Sequence, residues 1–210
     1  MAKTWGRDSE RTRSAVLMAA EQLFAENGFA GTSMRGVAEA SGVSQPLIHH
    51  HFGTKRELYL AVKRQVIERF KALLPASKAD GGPGATGPEI SGRALLTAHL
   101  QALFQFFRDN PRLLRLLSWA RLEGDSKELW PGEQELIEAF RDLGRRGQDR
   151  REMRGEVDPL MLVAIMENLV TSWCENRDWM ARLFPHRDAE ELDRLFLDNA
   201  TTILLHGVAV

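Results

Sequence analysis

The sequence predicts an all-α protein, a three-helix head followed by a larger helical bundle. Three observations carry the prediction. Apolar residues recur at spacings of three and four along most of the chain, the period of one helix face. Alternating β-branched runs of the kind that build strands are absent. Ser, Thr and Asp caps and closing glycines punctuate the apolar stretches where helices begin and end. The 210 residues, 43% hydrophobic and 27% charged, match a soluble globular protein with material for two small domains.

The first helix is expected over about Ser9–Asn27, with Val16, Ala20, Leu23 and Phe24 on one face and Gly28 as its C-cap. Ser33 caps a short second helix carrying Met34, Val37, Ala38 and Ala40, and Ser41-Gly42-Val43 makes a tight turn. Ser44 caps a third short helix, with Pro46 in the first turn where a missing N–H costs nothing, ending near Phe52-Gly53. Thr54 and Glu57 have capping-box spacing for a long amphipathic helix from Lys55 to about Leu74, whose inner face is Leu58, Ala61, Val62, Val66 and Phe70.

The Gly- and Pro-rich stretch over about 75–92 reads as a flexible loop. Further helices follow at about 91–109, 111–123, 127–151, 159–183 and 188–205, with Asp158-Pro159 and Asp188 as starts of the last two. Leu162, Ile165, Met166, Leu169, Val170 and Trp173 form one apolar stripe, and Leu192, Leu195, Phe196 and Ile203 another. Such stripes are either core within one chain or the seam of a four-helix dimer interface.

One cysteine, Cys174, excludes an intramolecular disulfide. No run approaches the 18–20 apolar residues of a membrane span, and Met1–Arg13 lacks the apolar stretch of a signal peptide, so a cytoplasmic location without membrane partners is expected. Residues 1–74 hold 11 basic and 7 acidic groups, about +4 against a total of −1, a basic N-terminal part on an acidic remainder. None of the nucleophile, zinc or phosphate-loop motifs of catalysis is present, and Gly81-Gly82-Pro83-Gly84 follows no strand, so no enzyme and no cofactor are expected. The triplet His49-His50-His51 invites a metal reading, but consecutive helical residues point about 100° apart and do not face one ion, so no metal site is expected.

Two short helices joined by a Gly-containing turn form a helix-turn-helix, and the N-terminal residues of the second helix are those that reach base edges in the major groove. The motif set is long and ordered: Ala19-Ala20-Glu21-Gln22-Leu23-Phe24-Ala25-Glu26-Asn27-Gly28-Phe29, Gly31-Thr32-Ser33-Met34-Arg35-Gly36-Val37-Ala38, Gly42-Val43-Ser44-Gln45-Pro46-Leu47-Ile48-His49-His50-His51-Phe52 and Lys55-Arg56-Glu57-Leu58. The stretch from Arg11 to Val66 resembles the DNA-binding domain of the tetracycline-repressor (TetR/AcrR) family.

The resemblance implies a DNA-binding domain over 1–54, a ligand-binding and dimerisation domain over 55–210, and roles residue by residue. Gln45 and Pro46 lie nearest the bases, followed by Leu47, with Ser44 in the same polar turn. Arg35 points to a base or phosphate. Thr32, Ser33 and Lys55 fall where family members hold phosphates. His49 stands where the family usually has a tyrosine that touches the backbone, and His51 is a further phosphate candidate, or packs against the first helix. Arg11 and Arg13 either touch DNA or belong to a solvated terminus.

The resemblance also implies an effector pocket in the back half, with His99, Leu103, Phe106, Phe107, Trp119, Trp130, Met161, Met166 and Trp173 as candidates against plain core. The dimer candidates are Leu162, Leu169, Trp173, Leu192, Leu195, Phe196 and Ile203. The function expected is a homodimeric repressor released from a near-palindromic, double-stranded operator by a small-molecule effector, the other reading being a constitutive DNA-binding protein without an inducer.

Overall fold

In the computed structural model, the structure describes residues 2–74 and 92–208, the side chains of 2–8 and of Ser126 excepted. The expected loop over 75–92 lies outside the described residues except for Gly92, which opens a helix.

The order is α1 (Ala2–Gly31), α2 (Met34–Ser41), α3 (Gln45–Phe52), α4 (Lys55–Leu73), α5 (Gly92–Asp109), α6 (Pro111–Leu122), a 3-10 turn (Asp125–Lys127), α7 (Glu133–Asp149), α8 (Pro159–Ala181) and α9 (Ala189–Val208). No strand occurs among the described residues. The capping chemistry is as the residues require. Ser33 accepts from the Gly36 N–H at 3.0 Å, and Thr54 and Glu57 exchange hydrogen bonds at the start of α4. Asp158 and Asp188 each accept from two N–H groups in the first turns of α8 and α9. Ser44 occupies the N-cap position of α3 without a side-chain hydrogen bond. The helix expected from 127 begins instead at Glu133, because the 3-10 turn and the residues after it intervene.

Two compact units result: Met1–Arg69 with Pro111–Gln134, and Phe70–Asn110 with Glu135–Val210. The chain therefore does not divide at 54/55. Leu58, Tyr59, Val62 and Val66 of α4 are buried, and the part of α4 up to Arg69 belongs to the first unit together with α1 and α6, which pack on each other.

In the first unit, Val16, Ala20, Phe24, Val37, Ile48 and Leu58 are fully buried. α1 breaks at Gly28, whose φ of 72° and ψ of 179° are non-helical. The break points the Phe29 and Ala30 N–H groups at the Glu123 carboxylate, which accepts both at 3.0 and 2.9 Å. Gly28 lies so close to Trp119 that a Cβ there would come within 2.9 Å of its ring. Buried Lys63 donates to the Asp125 carboxylate, which also accepts from Arg56 at 2.8 Å. Burial alone would raise the Asp125 carboxyl, but the hydrogen bonds and charges of Lys63 and Arg56 outweigh it and hold the group below its ordinary value.

In the second unit, Leu100, Leu103, Phe104, Phe106 and Phe107 of α5 are buried, as are Met166 and Val170 of α8 and Leu192 and Leu204 of α9. Trp173 lies flat on Phe196, with ring centroids 4.6 Å apart, and donates its indole N–H to the buried Asp193 carboxylate at 3.0 Å. Arg177 donates to the other oxygen of Asp193 at 2.6 Å.

Candidate nucleic-acid interface and effector cavity

The turn between α2 and α3 needs a left-handed residue, and Gly42 supplies it with φ 68°. Ile48 and Phe52 anchor α3 in the core, and spacing then decides what faces out. Ser44, Gln45, Pro46, Leu47 and His49 are exposed together at the N-terminal turn and outer face of α3. Arg35 on α2 is exposed too and forms an i, i+4 pair with Glu39 at 2.9 Å. This surface mixes amide, hydroxyl, imidazole, guanidinium and apolar groups, the inventory that reads base edges and phosphates.

His49 holds its orientation through Nδ1, 2.8 Å from the Gly53 carbonyl oxygen. A carbonyl only accepts, so Nδ1 carries the proton, and in the neutral ring Nε2 is an acceptor, 3.4 Å from the Gln45 side-chain amide nitrogen. Gln45 and His49 thus form one unit on the outer face of α3. A feature that sequence reasoning did not identify is the Arg13 guanidinium over the Phe52 ring, 4.6 Å from its centroid. The pairing of a first-helix arginine with the aromatic that ends α3 crosses too much sequence for any local pattern to mark it.

Two expected phosphate residues are occupied elsewhere. Thr32 is buried, and its hydroxyl lies 3.0 Å from the Leu23 and 2.8 Å from the Gly28 carbonyl oxygens. The Lys55 ammonium donates to the Phe29 and Thr32 carbonyl oxygens at 2.8 and 3.0 Å and lies over the Phe29 ring. Both satisfy carbonyls around the end of α1. Ser33 spends its hydroxyl oxygen on the cap of α2 while remaining exposed, and His51 is half-buried beside Phe52.

The second unit contains a cavity of about 410 Å³. Its walls are mostly carbon, from Leu95, Leu96, Leu136, Phe140, Leu162 and Met166 among others. His99 is a buried polar group in this wall, 7% exposed, with its ring edge-on to Phe140 at 4.7 Å and to Phe70 at 6.3 Å. Its Nε2 is buried without a hydrogen-bond partner, and burial pushes the imidazole down to about 4, so it is neutral at ordinary pH.

Of the residues expected to bind an effector, His99 and Met166 line this cavity. Leu103, Phe106 and Phe107 are core, Trp130 is buried beneath the Lys63 ammonium, and Trp119 packs against Gly28 in the first unit. Met161 is 61% exposed on α8, and Trp173 is committed to Phe196 and Asp193. Of the dimer candidates, Leu162, Trp173 and Leu192 are buried within this one chain, and Leu162 lines the cavity. Leu195 and Phe196 are half-buried, whereas Leu169 and Ile203 are exposed. Met161, Ile165 and Leu169, four residues apart on α8, form a bare apolar stripe.

Among the described residues no group of three His, Cys, Asp or Glu could hold a metal ion, and no helix is long and apolar enough to cross a membrane.

One chain thus holds a helix-turn-helix head with an open face on its second short helix and a cavity-bearing helical unit. The model for bacterial regulatory proteins of the tetR family matches residues 16–62, and that for the tetracyclin repressor-like C-terminal domain matches 93–195. The chain belongs to the tetR family. It is 31% identical to the transcriptional regulator RutR of Escherichia coli over 125 residues, which take in 58% of this chain and 55% of RutR. It thus spans little more than half the length of that relative. It is 25% identical to the transcriptional activator FasR of Mycolicibacterium smegmatis over 80% of this chain and 74% of FasR. A transcriptional regulator of solved structure from Streptomyces coelicolor shares the fold, with a TM-score of 0.73 at 21% identity over 94% of this chain and 98% of that one.

Proposed function

We propose that this protein is a dimeric, ligand-responsive repressor that binds a near-palindromic operator through α3 and is released by a small, largely apolar effector. The observation that carries the reading is the open N-terminal turn of α3: Gln45, Pro46 and Leu47 are exposed while Ile48 and Phe52 hold the helix in the core. Gln45 offers the amide that pairs with adenine, and Pro46 and Leu47 offer apolar contact to thymine methyls. Arg35, Ser33 and His49 are the candidates for the phosphate backbone or nearby base edges. Thr32 and Lys55 support the interface from behind by holding the end of α1.

The bare stripe Met161–Ile165–Leu169 on α8, with Ile203 on α9, supports dimerisation, because apolar side chains at this spacing are covered best by a second copy. Two recognition helices about 34–36 Å apart would then meet successive major grooves. The cavity supports a small-molecule effector over a constitutive DNA-binding protein with a filled core. An effector that favours a dimer geometry unsuited to that spacing lowers DNA affinity, and DNA lowers effector affinity by the same factor.

The test is fluorescence-anisotropy titration of the DNA upstream of the protein's own gene, at two salt concentrations, with wild type and Gln45→Ala. Tight binding that falls with salt and weakens by roughly 5- to 100-fold in Gln45→Ala is expected. Equal affinity for random DNA, or an unchanged Gln45→Ala, refutes it.

A further inference from the structure

The effector cavity carries information about the chemistry of its occupant. Its walls are mostly apolar, and among them is the buried His99 imidazole, whose Nε2 has no partner within the chain. Buried polar groups in folded proteins are nearly always hydrogen-bonded, so an orphan on a cavity wall marks a position that a guest completes. The imidazole is kept neutral by burial among Phe70, Phe140 and the apolar lining, so it offers one donor nitrogen, one acceptor nitrogen and no charge.

The charged residues of the lining sit differently. Lys71 and Glu135 pair at 3.2 Å, and the Glu152 carboxylate accepts the Gly92 N–H at 2.8 Å. Arg93, Arg146 and Arg150 are exposed. None of these is an interior polar anchor.

We infer that the cavity selects an effector with an apolar body and one uncharged hydrogen-bonding group, a hydroxyl, carbonyl or amide, seated on the His99 imidazole. An ionised carboxylate at that point would be buried against a neutral ring with no cation to offset its lost hydration. A carboxylate turned outward toward the arginines would leave the imidazole without a partner. This assignment rests on the cavity being the effector site.

The test uses two flexible probes of matched length, octan-1-ol and octanoate, titrated calorimetrically into the full chain at pH 7.5. The variants are His99→Leu, His99→Gln and the cavity-filling Met166→Trp, with Val163→Phe as a second filling variant should the first fail to fold. Octan-1-ol is expected to bind more tightly than octanoate. His99→Leu should weaken octan-1-ol by about three- to tenfold, the worth of one neutral hydrogen bond, and His99→Gln should restore most of it. The filling variants should abolish binding of both probes. Tighter binding of octanoate, or octan-1-ol affinity indifferent to His99→Leu, overturns the assignment and leaves the cavity as the effector site. Failure of both probes to bind, or binding that the filling variants leave intact, overturns the cavity reading and this inference with it.

Discussion

Gly28→Ala should be among the most damaging single-methyl additions in the chain. The backbone there has φ 72° and ψ 179°, a region only glycine adopts readily, so a side chain costs about 1–3 kcal/mol in strain. The new Cβ would also stand 2.9 Å from the Trp119 ring and 2.8 Å from Glu123 Oε1, the oxygen that accepts the Ala30 N–H. Overpacking of this kind costs a further 1–3 kcal/mol or so, for a total of about 4 kcal/mol. Gly124→Ala is the matched control. It has nearly the same φ, 73°, but nothing within 4 Å of a Cβ, so it should cost only about 1–2 kcal/mol. The assay is urea unfolding followed by far-ultraviolet circular dichroism, with thermal melts alongside. For a chain of this size the Gly28→Ala melting temperature should fall by about 8–16 °C. If the two variants lie within about 1 kcal/mol of each other, the contact with Trp119 and Glu123 does not constrain this backbone and the reasoning fails.

Asp125→Asn should destabilise by about 3 kcal/mol in the same unfolding assay, because it removes the carboxylate that compensates buried Lys63, and Lys63→Met combined with it should recover part of the loss; a change under about 1 kcal/mol contradicts this. His99 makes stability pH-dependent: the unfolded chain takes up a proton near 6.5 and the folded chain only near 4, so its contribution is intact above pH 6.5 and is lost as pH falls toward 4. By pH 5 the loss is about 2 kcal/mol, and His99→Leu should flatten the fall between pH 7.5 and 5 by that amount in denaturant titrations; an identical fall in both proteins rules it out. Ile165→Glu with Ile203→Glu, at positions 46% and 71% exposed, should halve the mass measured by light scattering while leaving the helical spectrum unchanged. An unchanged mass contradicts the proposed seam on α8 and α9.

The head was legible because its signals are local. Ser33, Gly42, Thr54 with Glu57, Asp158 and Asp188 each act within a turn of their own position, and each appears in the structure at the element boundary that its chemistry implies. Ser44 is the partial exception, since the N-cap position is right and the side-chain bond is missing. The exposed face of α3 follows from its period once packing buries Ile48 and Phe52. What was not legible in the head is of one kind. Thr32 and Lys55 carry groups suited to phosphate, yet carbonyls at the end of α1 claim them, and those carbonyls come from residues 4 to 26 positions away. Composition cannot say which acceptor a donor meets.

The back half shows the same division more sharply. Its stripes announced amphipathic helices, and helices formed. Which apolar residue becomes core, cavity wall or bare surface depends on what packs against each helix. Leu162 and Ile165 are one turn apart on α8, yet one lines the cavity and the other lies open. His99 could be read in sequence as a satisfied core histidine or a ligand contact, and only packing showed a cavity beside it and an Nε2 without a partner. Most helix positions and caps and the turn between α2 and α3 were set by the sequence alone, because hydrogen bonds within a turn and a 3.6-residue period need nothing beyond their neighbours. The Gly28 break against Trp119, the Lys63–Asp125–Arg56 cluster and the cavity were decided by tertiary structure, because each depends on side chains brought together across long stretches of chain, where no local spacing constrains which groups will meet.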